Sequence, residues 1–411
     1  MVFPENIKLT TLDNGLRIVT EKVDYVKSVS LGIWVKAGSI YENKENNGIS
    51  HLIEHLLFKG TKKRSSFQIA YDVESLGGAI NAFTTKDITC YYVRTIDEHL
   101  SNIFDVITDI VRNYDLNDGK LNFEKKVVYE EIKESEDDPF EYLNDCFGLC
   151  LYPDHPYGFP IQGTIESVKR ISLEDVQDFI SRFYRPENIV VSAAGNLDHD
   201  EVLKLSEKLI FTTKNIKDEF KIPSLTYPKE KTYIFNKDIK QAHVILGRRT
   251  FPIWDDRRYV LNLFNIMLSG GMSSRLFQNI REKYGYVYSI NSFIDFFDNQ
   301  GVFGLYAGVN SKKIERVIDL MYNEMEKFIK GDLKHDEIKK AKEQLKSSII
   351  FSFESMSSRM NRLAKMLIYE NKIYSIDDII SKVEIIDIDD IVELSRFLYN
   401  KNEMIEVILK R

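Results

Sequence analysis

Hydrophobic and polar positions follow two different periods along the chain. Apolar side chains alternate with other residues over positions 28–35, which predicts a strand. Segments 48–60 and 120–138 instead repeat their apolar residues at the spacing of a helix. Strands precede and follow paired helices, with few strand–helix–strand repeats. This order favours an α+β fold in which helices pack on one face of a mostly antiparallel sheet.

The chain contains an internal repeat. Residues 168–191 align with residues 383–408 at a shift of about 215 positions that drifts by one or two. Both copies contain an acidic helix start, apolar residues at helical spacing, an aromatic pair, a polar turn and a β-branched run. Two tandem homologous αβ units are therefore predicted, at residues 1–211 and 232–411. The polar, Lys-rich segment 212–231 keeps no period, which predicts a surface linker.

Composition and charge exclude several classes of protein. The 411 residues are 43% apolar, which is enough for one large or two medium hydrophobic cores and excludes a disordered chain. The net charge is −7 with both signs mixed along the chain, so no basic face for nucleic acid stands out. The three cysteines form no metal-type pair, which predicts buried thiols in a reducing compartment.

The sequence carries no sign of targeting or membrane insertion. Its N-terminal stretch lacks an apolar targeting region, and no run approaches the ~18 apolar residues of a membrane span. We therefore expect a cytoplasmic chain with no membrane partner and no nucleic-acid partner.

The segment GISHLIEHLLFKG, residues 48–60, carries the most specific chemical pattern. His51 and His55 lie one helical turn apart, and Glu54 shares their face, opposite the apolar side chains. Two neutral imidazoles at this spacing can bind one Zn²⁺ and leave Glu54 beside a water molecule. H-x-x-E-H is the inverted zinc-peptidase motif, so we expect one Zn²⁺ per chain. The alternative is a set of three surface polar residues on an amphipathic helix.

A catalytic zinc site needs a third protein ligand. In segment 120–138, Glu124 and Glu131 share a helical face with two valines, whereas Glu130 points elsewhere. Ionised carboxylates among apolar neighbours are costly unless a cation or hydrogen bonds compensate them. We therefore assign Glu131 as the third ligand and Glu124 as its support. The alternative is a helix edge that is simply exposed to water.

These residues resemble the pitrilysin-like peptidases, which include insulin-degrading enzyme and mitochondrial processing peptidase. The resemblance extends over nearly the whole chain, in the segments LDNGLRIV (12–19), LGGAINAFTTKDITCYYV (76–93), HPYGFPIQGT (155–164), RFYRPENIVVSAAGN (182–196) and LSGGMSSRLFQNIREKYGYVYS (268–289). The family's duplicated αβ domain matches the repeat. The chain length resembles the short-chain branch of the family, which works as dimers.

The resemblance implies a role for each residue of the motif. His51, His55 and Glu131 correspond to the zinc ligands, Glu54 to the general base and Glu124 to an essential accessory carboxylate. None of these positions departs from the family pattern.

The second copy of the repeat lacks the metal-binding side chains. The positions aligned with the motif hold Ile266, Ser269 and Gly270, and the position aligned with the third ligand holds Lys346. Only the first unit is therefore expected to bind metal.

The resemblance also implies a surface for the substrate backbone. In this family the strand that corresponds to Asn81, Ala82, Phe83 and Thr84 lies open beside the zinc ion and pairs with the substrate. Backbone pairing recognises extended peptides of almost any sequence. The alternative is an ordinary internal strand in which Asn81 satisfies a turn.

In the second half, Arg281 and Tyr288 resemble an arginine and a tyrosine that contact substrate near the scissile bond in this family. A guanidinium or a phenol aimed at the developing oxyanion would assist catalysis. Tyr284 and Tyr286 lie nearby, which makes the tyrosine assignment less specific. The alternative is an aromatic core with one exposed basic residue.

The remaining histidines are weaker candidates. His99, His199 and His335 lie among charged residues with no partner at metal-ligand spacing, so we expect them to be solvated. His155 and His243 lie in segments that resemble the family and are expected to be structural.

The resemblance implies a zinc-dependent endopeptidase or oligopeptidase that hydrolyses extended peptides or unfolded protein segments. Its expected partners are the peptide substrate and a second copy of the chain in a homodimer, and the sequence leaves a heterodimer open as well. The alternative function is a non-catalytic or heterodimer assembly subunit of the same family.

Overall fold

The computed structural model describes residues 6–209, 220–400 and 403–411. They form two compact units, each built from three stretches of the chain. The first unit draws its described residues from Met1–Lys133, Phe159–Pro223 and Ser352–Ser375, and the second from Glu134–Gly158, Ser224–Phe351 and Ile376–Arg411.

The secondary structure mixes helices and strands throughout. The strands are β1 (Ile7–Thr11), β2 (Arg17–Lys22), β3 (Ser28–Val35), β4 (Ala79–Thr84), β5 (Thr89–Ile96), β6 (Ile189–Gly195), β7 (Thr232–Asn236), β8 (Ala242–Thr250), β9 (Val287–Phe296), β10 (Gly301–Val309) and β11 (Ile405–Lys410). The helices are α1 (Ile49–Leu57), α2 (Ser66–Glu74), α3 (Leu100–Arg112), α4 (Asp118–Asp137), α5 (Pro139–Leu151), α6 (Ile165–Arg170), α7 (Leu173–Phe183), α8 (His199–Ser206), α9 (Arg257–Ser269), α10 (Ile314–Ile329), α11 (His335–Ser352), α12 (Met356–Tyr369), α13 (Ile376–Glu384) and α14 (Ile388–Leu398). Within the described ranges, no helix combines the length and apolar composition needed to cross a membrane.

The first unit is built on a sheet with the strand order β1-β2-β6-β3-β5-β4. Neighbouring strands are antiparallel, apart from the parallel pair β2 and β6. Leu31 and Ile33 of β3 share a hydrophobic core with Leu52 of α1, Phe104 of α3 and Val128 of α4. Strand β4 forms one edge of the sheet, so one side of its backbone is open to a further strand.

The second unit repeats this design with the strand order β7-β11-β8-β10-β9. The pair β7 and β11 is parallel, and the other neighbours are antiparallel. Leu246 of β8 and Phe303 of β10 share the core with Phe264 of α9. The two units together confirm the predicted α+β class with tandem αβ units and mostly antiparallel sheets.

Each sheet also carries a helix on its second face, which the sequence did not predict. In the first unit, Met360 and Leu363 of α12 pack with Trp34 and Val190, although α12 comes from the second half of the chain. A helical period identifies such a helix but contains no information about the sheet it covers.

The exchange is reciprocal, because α5 from the first half of the chain belongs to the second unit. Phe147 of α5 lies directly against Gly247 of β8, where an added Cβ would approach the phenyl ring to 2.5 Å. The predicted boundaries at residues 211 and 232 stay a prediction, and the part of the linker at 212–219 lies outside the described residues.

A buried carboxylate fixes the start of α1. Glu42 is 1% exposed and accepts hydrogen bonds from the backbone N–H of Gly48 at 2.8 Å, from that of Ser50 at 2.9 Å and from Nδ2 of Asn47 at 2.9 Å. A carboxylate at this position satisfies N–H groups that a helix leaves unpaired at its first turn. The φ of Gly48 is +94°, and an added Cβ would lie 2.6 Å from the carbonyl oxygen of Gln162. The helix that carries the H-x-x-E-H motif therefore begins at a fixed point.

We predict that Gly48→Ala destabilises the first unit more than Gly77→Ala does. Both glycines have positive φ, so both alanines carry a strain of about 1–2 kcal/mol. Nothing lies within 4 Å of a Cβ at position 77, whereas the clash with Gln162 should add about 1–3 kcal/mol at position 48. Urea unfolding followed by Trp34 fluorescence in a Trp254→Phe background measures the difference. Equal losses of stability in the two variants would contradict it.

Candidate metal centre

Helix α1 presents two imidazoles on the face opposite its buried side chains. Leu52, Ile53 and Leu56 are fully or almost fully buried in the core of the first unit. The side chains of His51 and His55 are each 18% exposed, and their ring centroids are 4.6 Å apart. The i, i+4 spacing therefore places both rings on one partly buried surface, as the sequence predicted.

Helix α4 brings a carboxylate to the same point. Oε2 of Glu131 lies 3.9 Å from Nε2 of His51 and 3.5 Å from Nε2 of His55. Donor atoms at ~2.0–2.1 Å from a tetrahedrally coordinated Zn²⁺ lie ~3.4 Å from one another, and the two observed distances are slightly longer than this value. In the described part of the chain, these side chains form the one group of His, Cys, Asp or Glu that could hold a metal ion.

The protonation state of His51 also fits a metal ligand. Burial and the neighbouring imidazole of His55 lower the pKa of His51 to about 4, so the ring is neutral at pH 7. A neutral imidazole offers a lone pair to a metal ion, which a protonated ring cannot do.

Glu124 lies behind His55 and is completely buried. Its Oε2 is 3.4 Å from Nδ1 of His55, and its Oε1 is 3.0 Å from Nζ of Lys59. Burial raises the pKa of Glu124, whereas the contacts with His55 and Lys59 lower it. The lowering effect is the larger of the two, so the pKa of Glu124 lies below its usual value. An ionised Glu124 favours the tautomer with the proton on Nδ1 and leaves Nε2 of His55 free to bind a metal.

Lys59 was not singled out in the sequence, although it lies one helical turn after His55. Two backbone contacts fix the chain around Lys59. Its own N–H donates to the carbonyl of Leu56 at 3.0 Å, and Thr61, two residues later, pairs with Tyr114 in an isolated β-bridge. The ammonium compensates a charge that would be costly to bury alone.

Glu54 contacts the edge strand. Its Oε2 accepts a hydrogen bond of 2.5 Å from Oγ1 of Thr84, the last residue of β4. Burial raises the pKa of Glu54, and the hydrogen bond from Thr84 offsets part of this increase. A carboxylate with a raised pKa is better matched to proton transfer near neutral pH than a solvated one.

The hydrogen bonds around β4 identify which backbone groups face outwards. Thr85 donates its N–H to the carbonyl of Ile88 in the direction of β5, and the N–H of Ala82 is bonded to the side chain of Asn81 instead of to β5. Since the direction alternates along an antiparallel strand, the backbone groups of Ile80, Ala82 and Thr84 point away from the sheet.

The predicted strand surface therefore divides into two sets. Ala82 and Thr84 offer backbone groups to a further strand, whereas the backbone groups of Asn81 and Phe83 face β5. The ring of Phe83 packs edge-on against Trp34 at 5.5 Å. Ile80 belongs to the outward set and was missed, because register cannot be read from the sequence of one strand.

Arg281 and Tyr288 belong to the second unit, and each lies in an irregular element. Arg281 is part of a π-helical turn at Phe277–Glu282, with its guanidinium 4.8 Å from the ring of Phe277. Tyr288 is 76% exposed on the edge strand β9, where the pairing with β10 shifts register. π-Helical turns and β-bulges are frequent at functional sites. The roles of both residues, and the homodimer, stay predictions.

Two positions of the second unit that align with site residues of the first form other contacts. Ser269, which aligns with Glu54, shares a short hydrogen bond with Ser292. Lys346, which aligns with Glu131, lies 3.2 Å from a carboxylate oxygen of Glu384. That only the first unit binds metal stays a prediction.

The expectation that His199 is solvated is wrong. Its side chain is buried, and its two ring nitrogens are each 2.8 Å from a hydroxyl, of Thr10 and of Thr20. The charged neighbours of His199 in the sequence hid this contact, because hydrogen bonds between distant strands leave no local pattern. The three cysteines are buried and free, as predicted.

Two family descriptions match the chain. Residues 17–162 match Insulinase (Peptidase family M16), and residues 170–345 match the Peptidase M16 inactive domain. The first match includes the His51, His55 and Glu131 cluster, and the second lies over the half that lacks it.

Similar proteins extend the match to almost the whole chain. An uncharacterized zinc protease of Streptomyces coelicolor is 34% identical over 98% of this chain and 89% of its own length. The uncharacterized zinc protease YmxG of Bacillus subtilis is 34% identical over 98% of both chains.

Solved structures agree with this likeness. A protease from Helicobacter pylori superimposes with a TM-score of 0.91, at 25% identity, over 98% of this chain and 99% of that chain. A peptidase M16 inactive domain from Pseudomonas fluorescens superimposes with the same TM-score over 98% of both chains. Its sequence is only 19% identical, so this match shows a shared fold and nothing more. By sequence along nearly its whole length and by fold, the chain belongs to peptidase family M16, the pitrilysin-like peptidases.

Proposed function

We propose that this chain is a zinc-dependent endopeptidase or oligopeptidase that hydrolyses extended peptides and unfolded protein segments. One observation carries the proposal: Nε2 of His51, Nε2 of His55 and Oε2 of Glu131 converge on one point, and Glu54 lies on the same helical face. Relatives that carry the name zinc protease support the choice of metal.

His51, His55 and Glu131 would hold the ion. When bound, zinc supplies Lewis acidity, which polarises a peptide carbonyl and lowers the pKa of a water molecule. Glu54 takes a proton from this water at its carboxylate as the water oxygen bonds to the carbonyl carbon. The same carboxylate then delivers the proton to the leaving nitrogen as the carbon–nitrogen bond breaks. Water is consumed and no covalent enzyme intermediate forms.

The open edge of β4 supports an extended peptide as substrate. Outward backbone groups at Ile80, Ala82 and Thr84 can pair with a peptide backbone. The strand ends at Thr84, whose side chain contacts Glu54. A peptide added to this edge would therefore extend beside the candidate general base, with little dependence on its side chains.

The alternative is a non-catalytic subunit of the same family. A subunit with only a structural role has no need for a buried Glu124 behind a ligand or for a hydrogen bond that orients Glu54. The presence of both contacts favours the enzyme.

We predict that Glu54→Gln keeps zinc and loses hydrolysis. The amide has nearly the same size but cannot accept the proton, and general-base catalysis contributes about 10²–10⁴-fold to a rate. Zinc content and the cleavage rate of a fluorogenic peptide should be measured on the same preparation. A variant that hydrolyses the peptide at the original rate would refute the base assignment. A zinc-loaded wild type that hydrolyses no peptide would favour the non-catalytic subunit.

We predict that Glu131→Gln weakens zinc binding and that Glu130→Gln does not. Glu130 is the matched control because its carboxylate is 74% exposed and pairs with Lys133 on the same helix. Loss of a ligand should exceed the ~10- to 100-fold that outer partners contribute to metal affinity. Competition with a chromophoric chelator gives the dissociation constant of each variant. An equal change in both variants would rule out Glu131 as a ligand.

We predict that Ala82→Pro raises KM without unfolding the chain. Proline removes an N–H that β4 does not use for pairing with β5, so an edge strand can accept it. The peptide would replace the side chain of Asn81 as the acceptor of this N–H. Loss of that hydrogen bond to the peptide corresponds to about 0.5–1.5 kcal/mol, or roughly a 2- to 12-fold increase in KM. Ala82→Ser keeps the N–H and is the control. An unchanged KM in a folded Ala82→Pro variant would show that this edge does not bind the substrate.

A further inference from the structure

Thr84 joins the two parts of the proposed active site. It is the last residue of β4, and its hydroxyl donates to Oε2 of Glu54 at 2.5 Å. Its backbone groups also point away from the sheet, towards the open edge. One residue therefore has its side chain on the candidate base and its backbone on the surface where a peptide would pair.

The hydrogen of the Thr84 hydroxyl is committed to Glu54. A hydroxyl has one hydrogen, and an ionised carboxylate can only accept. The other hydroxyl near Thr84 is that of Thr89 at 3.4 Å, and Thr89 donates its own hydrogen to the carbonyl of Ala37 at 2.8 Å. The Thr84 hydroxyl could therefore donate to Thr89 or to Glu54. The contact with Thr89 is long, at 3.4 Å, so the short hydrogen bond to Glu54 is favoured.

The support of Thr84 is rigid. It pairs with Thr89, which is fully buried, and the next residue, Thr85, closes the turn through a backbone hydrogen bond to Ile88 at 2.8 Å. Threonine is branched at Cβ, which restricts its χ1 angle. Helix α1 packs against β4, so the helix that carries Glu54 and the strand that carries Thr84 are held next to each other.

We propose that Thr84 is a positioning residue that holds one oxygen of the Glu54 carboxylate and leaves the other, Oε1, to exchange protons with water and the leaving nitrogen. This inference rests on the proposed function. It adds that the strand proposed to bind the peptide also orients the base. Thr84 would then fix the position of the peptide through its backbone and the position of Glu54 through its side chain.

Thr84→Val tests this role, because valine keeps the branched shape and removes the hydroxyl. A base that is misplaced by a fraction of an ångström should lower kcat about 10- to 100-fold. KM should stay within about twofold, because the Thr84 backbone is unchanged. Thr84→Ser restores the hydroxyl, and its kcat should return to within about threefold of the wild type.

The matched control is Thr95→Val on the neighbouring strand β5. The hydroxyl of Thr95 donates to the backbone carbonyl of Leu76 at 3.0 Å and has no contact with Glu54. This variant loses one buried hydroxyl of the same sheet, and its kcat should equal that of the wild type. Zinc content should be the same in all variants, since no ligand is altered.

A second readout does not depend on activity. The carboxyl carbon of Glu54 can be observed by NMR after labelling with carboxyl-¹³C glutamate, and its signal is assigned by its loss in Glu54→Gln. The chemical shift in the metal-free chain should change in Thr84→Val, return in Thr84→Ser and stay constant in Thr95→Val.

Three results would overturn the inference: an unchanged kcat in Thr84→Val, an equal loss of kcat in Thr84→Ser, or a loss that appears in KM alone. A Glu54 carboxyl signal that is indifferent to Thr84→Val would overturn it as well. A zinc-loaded wild type that cleaves no peptide would instead refute the proposed function, whatever the NMR signal shows.

Discussion

The convergence of three electron-pair donors from two helices on one point is the interaction on which the rest of the site depends. Two imidazoles of α1 and the carboxylate of Glu131 on α4 lie close to the spacing of the ligands of a tetrahedral zinc ion. The positions of these three side chains require that α1 starts at a fixed residue and that the face of α4 which carries Glu131 is turned towards α1. Glu42 fixes the first of these, and the contact between the buried Glu124 and the partly exposed Lys59 links α4 to the end of α1.

Helix α1 also connects the metal centre with the edge of the sheet. Its buried side chains anchor it in the core, while Glu54 reaches the last residue of β4. The components of the proposed reaction are therefore held by the helices α1 and α4 and by the strand β4. Rigid elements of this kind hold catalytic geometry better than loops do, which fits a reaction that needs a base, an ion and a peptide bond in line.

The features that the sequence predicted are those with a local period or a short spacing. His51, His55 and the pair Glu124 and Glu131 share faces because a helix turns by a fixed angle per residue. The contacts that it missed join distant parts of the chain: α12 on the first sheet, α5 on the second, and the hydrogen bonds of His199. The outward set of β4 residues belongs to the same group, since register depends on the partner strand.

The measurement that tests the central claim most directly is the zinc K-edge X-ray absorption spectrum of the zinc-loaded wild type. The account predicts nitrogen and oxygen ligands at ~2.0–2.1 Å, with the outer-shell scattering of two imidazoles. These two rings are those of His51 and His55, so the imidazole scattering should fall by half in His55→Ala. A sulfur ligand at ~2.3 Å, or a shell of oxygen atoms without imidazole, would contradict the site described here.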